Sequence, residues 1–153
     1  MRQSAGLLLW RYSATGEPEL LIGHMGGPFW AHKHEGAWSI PKGLVEQAEE
    51  DLLVVAEREF AEEMGGPAPR GEARCLGAVT ASGKRITIFA RQGDFDAAAI
   101  VSNTFEIEWP RGSGEVQSFP EIDRAMWASA AEAQQLLARS QRIFIDRLAE
   151  SIS

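Results

Sequence analysis

The pattern of apolar and polar positions predicts a β-hairpin followed by a long loop. Residues 4–12 and 19–25 are apolar runs of β-forming residues, and Thr15-Gly16-Glu17-Pro18 between them has the composition of a turn. A loop rich in Gly, Pro, His and Trp then runs from Gly26 to Gly36, and residues 37–40 form a short extended segment. Loops of this size within a compact domain often carry function, so we expect this one to border a site.

A helix over residues 50–64 is the best-defined predicted element, and Gly65-Gly66-Pro67 provides its end. A step of 100° per residue gathers the apolar side chains into one stripe that we expect to face the core. This stripe consists of Leu53, Ala56, Phe60 and Met64. Beside it, within an arc of about 100°, lie the carboxylates of Glu59, Glu62 and Glu63.

The rest of the chain predicts further strands and then helices. Strand-like segments occupy residues 72–80, 84–91 and 104–109, and residues 130–149 have the pattern of two consecutive amphipathic helices or one broken helix. A mixed sheet with one central helix and a helical C-terminal cover indicates an α+β fold in α/β/α layers. We expect one domain over residues 1–153.

Composition excludes several functional classes. With 15 basic and 22 acidic residues the net charge is −7, which gives no general attraction to nucleic acid or to a membrane surface. The single cysteine, Cys75, excludes an internal disulfide and a Cys-rich zinc site, and its apolar strand pattern predicts a buried thiol. No apolar run approaches the length of a membrane helix, and the N-terminal residues do not resemble a signal peptide, so we expect a cytoplasmic protein.

The three helical carboxylates lie where a helix tolerates them least. They fall in the last two turns, where the helix dipole is negative and the acids also repel one another. A solvated charged face is the alternative interpretation of such a cluster. A hard divalent cation such as Mg²⁺ would offset the repulsion, because it prefers carboxylate oxygens and keeps waters for substrate phosphates. The segment Trp38-Ser39-Ile40-Pro41-Lys42-Gly43 leads into this helix through a glycine that can approach a ligand closely.

These residues resemble the Nudix hydrolase family, whose motif is G-x5-E-x7-R-E-U-x-E-E-x-G-U, with U a bulky aliphatic residue. The run from Arg58 to Gly65 fits the R-E-U-x-E-E-x-G part, and seven residues separate Glu50 from Arg58. Six residues rather than five separate Gly43 from Glu50, and Gly66 replaces the final aliphatic residue. In the alternative register, Glu49 follows Gly43 correctly and the extra residue falls within the helix. We prefer the insertion in the loop, since a helical insertion would rotate the acids by about 100°.

The resemblance implies a Nudix-type α/β/α sandwich with a mixed β-sheet and a central catalytic helix. It implies that Glu59, Glu62 and Glu63 bind Mg²⁺ or Mn²⁺, with the carbonyl of Gly43 as a further ligand. It also implies that Arg58 and Glu50 orient the loop and helix, with Gly65 supporting the motif. Family members hydrolyse a nucleoside diphosphate linked to another group, by attack of water on phosphorus. The residues expected to take part in catalysis are Glu62, Glu63, Arg58 and Glu121.

Glu121 is the candidate for a further acid from outside the motif, because the segment Phe119 to Asp123 resembles the place where some relatives carry one. The alternatives are Glu106, Glu108 and Glu115. The candidates for contacts with substrate are Lys42, Trp38 and His32, each of which has a purely structural alternative. The aromatic residues Phe29, Trp30 and Trp109, together with Trp38, are candidates for stacking on a base, although core packing is their default role.

Two functions therefore remain open. The first is a metal-dependent pyrophosphohydrolase, with a nucleoside triphosphate or a dinucleoside polyphosphate favoured by family analogy. The second is a nucleotide-binding or regulatory domain that lost its chemistry, against which the complete set of motif acids argues. We expect a nucleotide-type small molecule as substrate and no membrane partner. The charge balance disfavours general nucleic-acid binding but leaves open a capped or triphosphorylated RNA end, and the oligomeric state is not indicated.

Overall fold

The computed structural model describes residues 1–48 and 50–153, and over these residues the chain forms nine strands and three α-helices. Glu49, the acid of the alternative motif register, lies outside the described residues. The strands are β1 (Arg2–Tyr12), β2 (Pro18–Met25), β3 (Trp38–Ser39), β4 (Lys42–Leu44), β5 (Ala73–Ala81), β6 (Lys84–Gln92), β7 (Thr104–Glu108), β8 (Val116–Pro120) and β9 (Ile122–Ser129). The helices are α1 (Leu52–Met64), α2 (Ala130–Leu136) and α3 (Ile143–Ile152), with 3₁₀ turns at Ala97–Ala99 and Arg139–Gln141.

Seven strands form one mixed sheet. β1 pairs in parallel with β6, and the other pairs in the sheet are antiparallel. β5 lies beyond β6 on one side of β1, while β2 and then β9 lie on the other. β7 and β8 form a separate two-stranded ribbon.

Strands β1 and β2 separate along their length, and the chain from Trp38 to Leu44 fills the opening. The two strands pair only around Trp10 and Leu20. Farther along, β2 pairs with β3, and β1 pairs with β4, where Ala5 faces Gly43. The segment therefore changes its partner strand between β3 and β4, at the point where it enters the predicted site.

The core consists of two apolar layers, one on each face of the sheet. Successive side chains of β1 point to opposite faces, so Leu7 and Leu9 pack with α1 whereas Leu8 packs with the C-terminal helices. Both layers contain residues with no exposed surface, among them Phe60 on α1 and Phe144 on α3. The predicted α+β fold in α/β/α layers is confirmed.

Helix α1 begins at Leu52, two residues later than predicted, because the carboxylate of Asp51 caps it by accepting from the Leu53 amide at 2.9 Å. It ends at Met64, and Gly65 adopts the left-handed conformation with φ 81°. The buried stripe contains Val55 where Leu53 was predicted, since Leu53 is only partly buried in the first turn.

Several predictions for the second half of the chain need correction. Cys75 is exposed rather than buried. β8 and β9 were not predicted, because β8 is largely exposed and in β9 only Ile122 and Ala128 are buried, which leaves no alternating pattern. Residues 130–149 contain two helices, the first of the two alternatives, although the second helix extends to Ile152. In the part of the chain that the structure describes, the helices are too short or too polar to span a bilayer.

Replacement of Gly6 by alanine tests how tightly the β1–β4 pairing is packed. A Cβ on Gly6 would lie 2.6 Å from the Pro41 carbonyl oxygen and 2.7 Å from the Lys42 Cβ. We expect Gly6→Ala to lower the free energy of unfolding, measured by urea titration, by about 1–3 kcal/mol through overpacking. Gly66→Ala is the matched control, because its Cβ would meet only Phe95, at 4.0 Å. The control should change stability by no more than about 0.5 kcal/mol, and equal losses in the two variants would contradict the expectation.

Candidate metal and catalytic site

Helix α1 and strand β4 form one wall of a cleft of about 380 Å³ that collects acidic side chains. Glu59, Glu62 and Glu63 of α1 all line it, as the helical spacing predicts. The other lining residues are Lys42, Gly43, Leu44, Glu46, Asn103 and Glu121. The cleft therefore brings together five glutamates and a single lysine.

Glu59 packs directly against the backbone of Gly43. A Cβ on Gly43 would lie 1.7 Å from the Glu59 Oε1 atom and 2.1 Å from its Cδ atom. No other residue type leaves room for the carboxylate in this position, which explains why glycine is needed at the centre of β4. Helix and strand therefore meet at a point where both contribute polar groups to the cleft.

A second contact joins α1 to the loop before it. Arg58 donates from Nη1 to the Glu50 carboxylate at 2.6 Å, and the other oxygen of that carboxylate accepts from the amides of Glu46 and Gln47 at 2.9 and 3.0 Å. The Arg58 Nε atom lies 3.7 Å from the Glu59 carboxylate. Arg58 thus links the loop to the residue beside Gly43, and neither Arg58 nor Glu50 lines the cleft.

Glu121 reaches the cleft through a series of backbone hydrogen bonds at the C-terminal end of α1. The Asn103 amide donates to the Glu62 carbonyl, and the Glu121 amide donates to the Asn103 carbonyl, both at 2.9 Å. The Glu121 carbonyl in turn accepts from the Gly26 amide at 2.9 Å. These bonds satisfy an otherwise unpaired helix carbonyl and hold Glu121 beside the three acids of α1.

The electrostatics of the cleft favour added positive charge. Burial raises the pKa of Glu63 to about 8, with Lys42 opposing and Glu59 and Glu121 reinforcing the rise. Burial also raises the pKa of Glu59, with Glu62 contributing, and it raises the pKa of Glu121. Burial lowers the pKa of Lys42, and the nearby Lys84 lowers it further. Bringing the cleft to its fully ionised state without a cation is therefore unfavourable.

The donor set fits a hard divalent cation. Carboxylate oxygens are the ligands that Mg²⁺ and Mn²⁺ prefer, and Glu59, Glu62, Glu63 and Glu121 offer them within one cleft. Among residues 1–48 and 50–153, no three His, Cys, Asp or Glu side chains already converge on one point. A cation would thus be held by glutamates that turn inward from the cleft walls.

Other sequence candidates lie elsewhere. Trp38 is 2% exposed, with its indole N–H directed at His34, so it belongs to the core layer that packs with the C-terminal helices rather than to a substrate surface. This corrects its assignment as a substrate contact. His32 is exposed on the long loop, outside the cleft lining.

The three alternatives to Glu121 as the further acid also lie outside the cleft lining. Glu106 and Glu108 belong to the ribbon strand β7, and Glu115 lies in the ribbon's turn. The Glu108 carboxylate accepts from the amides of Gly112 and Gly114 within that turn. Two polar lining residues, Glu46 and Asn103, were missed by the sequence analysis, because Glu46 falls at a position where the motif specifies no residue type and Asn103 lies outside the motif.

The chain resembles known proteins in sequence family and in fold. A family model described as NUDIX domain matches residues 2–148. An Ap4A hydrolase from C. elegans, solved as a binary complex, is 19% identical with a TM-score of 0.63, over 99% of this chain and 98% of that one. The NUDIX domain of Shewanella oneidensis NrtR, solved with ADP ribose, is 17% identical with a TM-score of 0.64, over 99% and 88%. A MutT protein from Methanosarcina mazei is 18% identical with a TM-score of 0.61, over 99% and 95%. No curated protein sequence matches significantly.

Replacement of Gly43 by alanine tests whether its contact with Glu59 matters for cation binding. The new Cβ must displace the Glu59 carboxylate, which can rotate away without disturbing the core. We expect Gly43→Ala to weaken Mn²⁺ binding, measured by calorimetry, roughly 10- to 100-fold. The unfolding free energy should change by less than about 1 kcal/mol, because the displaced group is a flexible side chain. Unchanged Mn²⁺ affinity would contradict the expectation.

The Glu50–Arg58 contact predicts a pH-dependent stability. The pKa of Glu50 is lowered, first by Arg58 and then by backbone amides. Since its folded-state pKa lies below the ordinary value of 4.5, the stabilisation is fully present above pH 4.5 and is lost as the pH falls through the lowered pKa. We expect a higher urea midpoint for the wild type than for Glu50→Gln at about pH 7 and a smaller difference at about pH 3.5. A difference that stays the same at both values would contradict this assignment.

Proposed function

The chain belongs to the Nudix hydrolase family, and from that premise we propose that it is a metal-dependent pyrophosphohydrolase acting on a nucleotide-type substrate. The proposed reaction is hydrolysis of a nucleoside diphosphate linked to another group, with water attacking phosphorus. The observation that carries this proposal is the cleft in which five glutamates face one lysine. An acidic cleft accepts an anionic polyphosphate only when cations reverse its local field.

The proposed ligands of Mg²⁺ or Mn²⁺ are Glu59, Glu62 and Glu63, with the Gly43 carbonyl and Glu121 completing the set. When bound, such a cation neutralises phosphate charge and lowers the pKa of a coordinated water. The chain's own contribution is placement. Gly43 leaves room for the Glu59 carboxylate, and Arg58 and Glu50 fix the approach of the loop to α1.

Lys42 is the proposed contact for a substrate phosphate. It is the one basic residue of the described cleft lining, and it is partly buried beside Glu63. An ammonium group is a suitable point charge for a phosphate oxygen. Glu62 is the most exposed of the three acids on α1, which supports a role for it near the reacting phosphorus.

The substrate proposal is a nucleoside triphosphate or a dinucleoside polyphosphate. The similarity to an Ap4A hydrolase over nearly the whole of both chains supports it. Exposed aromatic side chains add support, because they provide flat apolar surface for a base. Phe29 is 63% exposed on the long loop and Trp109 is 37% exposed at the end of β7. A Cβ on Gly27 would lie 2.7 Å from the Cζ atom of Phe105, so the long loop and the β7–β8 ribbon are neighbours.

Neutral replacement of the motif acids tests the proposal. We expect Glu62→Gln and Glu63→Gln each to reduce turnover by about 100-fold or more, because each removes a charged donor from the proposed cation site. The measurement is the release of phosphate, pyrophosphate or a nucleotide product from each of four kinds of substrate. These are nucleoside triphosphates, dinucleoside polyphosphates, ADP-ribose and 5′-triphosphate RNA. Wild-type turnover should stop with EDTA and return with added Mg²⁺.

Glu150→Gln is the matched control, because Glu150 is an exposed helical acid on α3, remote from the cleft lining. It should keep wild-type turnover. Full activity in both Glu62→Gln and Glu63→Gln would contradict the proposal. Nucleotide binding by the wild type without metal-stimulated hydrolysis of any substrate would support the alternative of a non-catalytic nucleotide-binding domain.

A further inference from the structure

We propose that Gln141 is a positioning residue for the candidate site, acting through the backbone that carries Lys42 and Gly43. Gln141 lies in the 3₁₀ turn between α2 and α3, 101 residues after Ile40, the residue whose amide it binds. The proposal rests on the proposed function, because it assigns Gln141 a role in placing the groups of that cleft.

The side chain of Gln141 is 3% exposed, and both of its polar atoms are used. Its Oε1 atom accepts from the Ile40 amide at 2.8 Å, and its Nε2 atom donates to the Ser39 Oγ atom at 3.0 Å. The Ser39 hydroxyl in turn donates to the Ile40 carbonyl at 2.8 Å. One buried amide side chain therefore binds the Ile40 backbone directly at its N–H and, through the Ser39 hydroxyl, indirectly at its carbonyl.

These hydrogen bonds bind the chain between β3 and β4, where Ile40 and Pro41 belong to neither strand. Ser39 still pairs with β2, whereas Lys42 already pairs with β1, so Ile40 and Pro41 form the switch between the two strands. Pro41 has no N–H, and its carbonyl accepts from the Leu7 amide at 3.1 Å. Ile40 has no exposed surface, so its N–H must be satisfied within the protein, and Gln141 provides the acceptor.

The switch determines the position of the residues that follow it. Gly43 lies three residues after Ile40 and has no space to move toward Glu59, whose carboxylate already occupies the site of a Cβ. Lys42, two residues after Ile40, lies beside Glu63 in the same cleft. A displacement of the switch would therefore move a proposed cation ligand and a proposed phosphate contact together.

Gln141 is itself firmly fixed. Its backbone N–H donates to the Ala138 carbonyl, and the backbone N–H of Ala138 donates to the Trp38 carbonyl, both at 2.9 Å. The neighbouring Arg142 donates to the Leu137 carbonyl at 2.9 Å. The turn between α2 and α3 is thus bound to β3, which makes Gln141 a rigid support rather than a mobile one.

The experiment compares Gln141→Met with Arg147→Met. Methionine keeps the approximate length of glutamine and removes both hydrogen bonds. Arg147 on α3 is the matched control, because it too bonds a strand through two side-chain hydrogen bonds, to the carbonyls of Leu76 and Ala78, which are not among the residues that line the cleft. The readouts are Mn²⁺ affinity by calorimetry, amide hydrogen exchange of residues 40–44, kcat and KM.

We expect Gln141→Met to weaken Mn²⁺ binding roughly 10- to 100-fold and to lower kcat about tenfold or more, with KM within about threefold of the wild type. Exchange of the Lys42 and Gly43 amides should accelerate. Arg147→Met should lower the unfolding midpoint without changing Mn²⁺ affinity or kcat. Lowered stability of Gln141→Met with wild-type Mn²⁺ affinity and kcat would overturn the proposal.

Ser39→Ala is the second variant, to be measured in the same way if Gln141→Met does not fold. It removes the acceptor for Nε2 and the donor to the Ile40 carbonyl but keeps the bond from the Ile40 amide to Gln141, and we expect Mn²⁺ binding to weaken by about two- to fivefold. Unchanged affinity and exchange in Ser39→Ala would overturn the proposal. Failure of the wild type to bind Mn²⁺ would contradict the proposed function alone, because exchange of the Lys42 and Gly43 amides reports on the role of Gln141 without metal.

Discussion

The structure of the site depends on the close approach of helix α1 to strand β4, where the Glu59 carboxylate lies against Gly43. Only a residue without a side chain permits this contact, and the contact is available only because β1 and β2 separate and admit the segment from Trp38 to Leu44. The contact therefore needs three features together, which are the opening in the sheet, the glycine of β4 and the acidic end of α1.

The sequence reveals those parts of the site that are local in the chain. Helical periodicity brings Glu59, Glu62 and Glu63 onto one side of α1 without knowledge of the fold, and the same periodicity predicts most of the buried stripe. Asn103 and Gln141 could not be found in this way. Each acts through contacts that span many residues, and neither has a neighbour in sequence that marks its role.

The short and the unpredicted strands have the same physical explanation. β4 has only three residues, and its pairing with β1 depends on the separation of β1 from β2. β9 is half-exposed along β2, so its side chains do not alternate between apolar and polar. The pattern of apolar and polar residues predicts helices and strands that bury one face. Strands that fill an opening or lie at an edge of the sheet are determined instead by the strands they pair with. The same holds for the acidic residues. The sequence gives a net charge of −7, but only the fold shows that five glutamates lie together in one cleft.

The β7–β8 ribbon is attached to the domain at both ends of its stem. Asn103, just before β7, is bonded to the end of α1, and Glu121, just after β8, is bonded to Asn103 and to Gly26. Because the stem is closed by these bonds, the length and sequence of the ribbon beyond it can change without moving Glu121. The ribbon is thus an element whose length and sequence can vary while the acidic cleft keeps its arrangement.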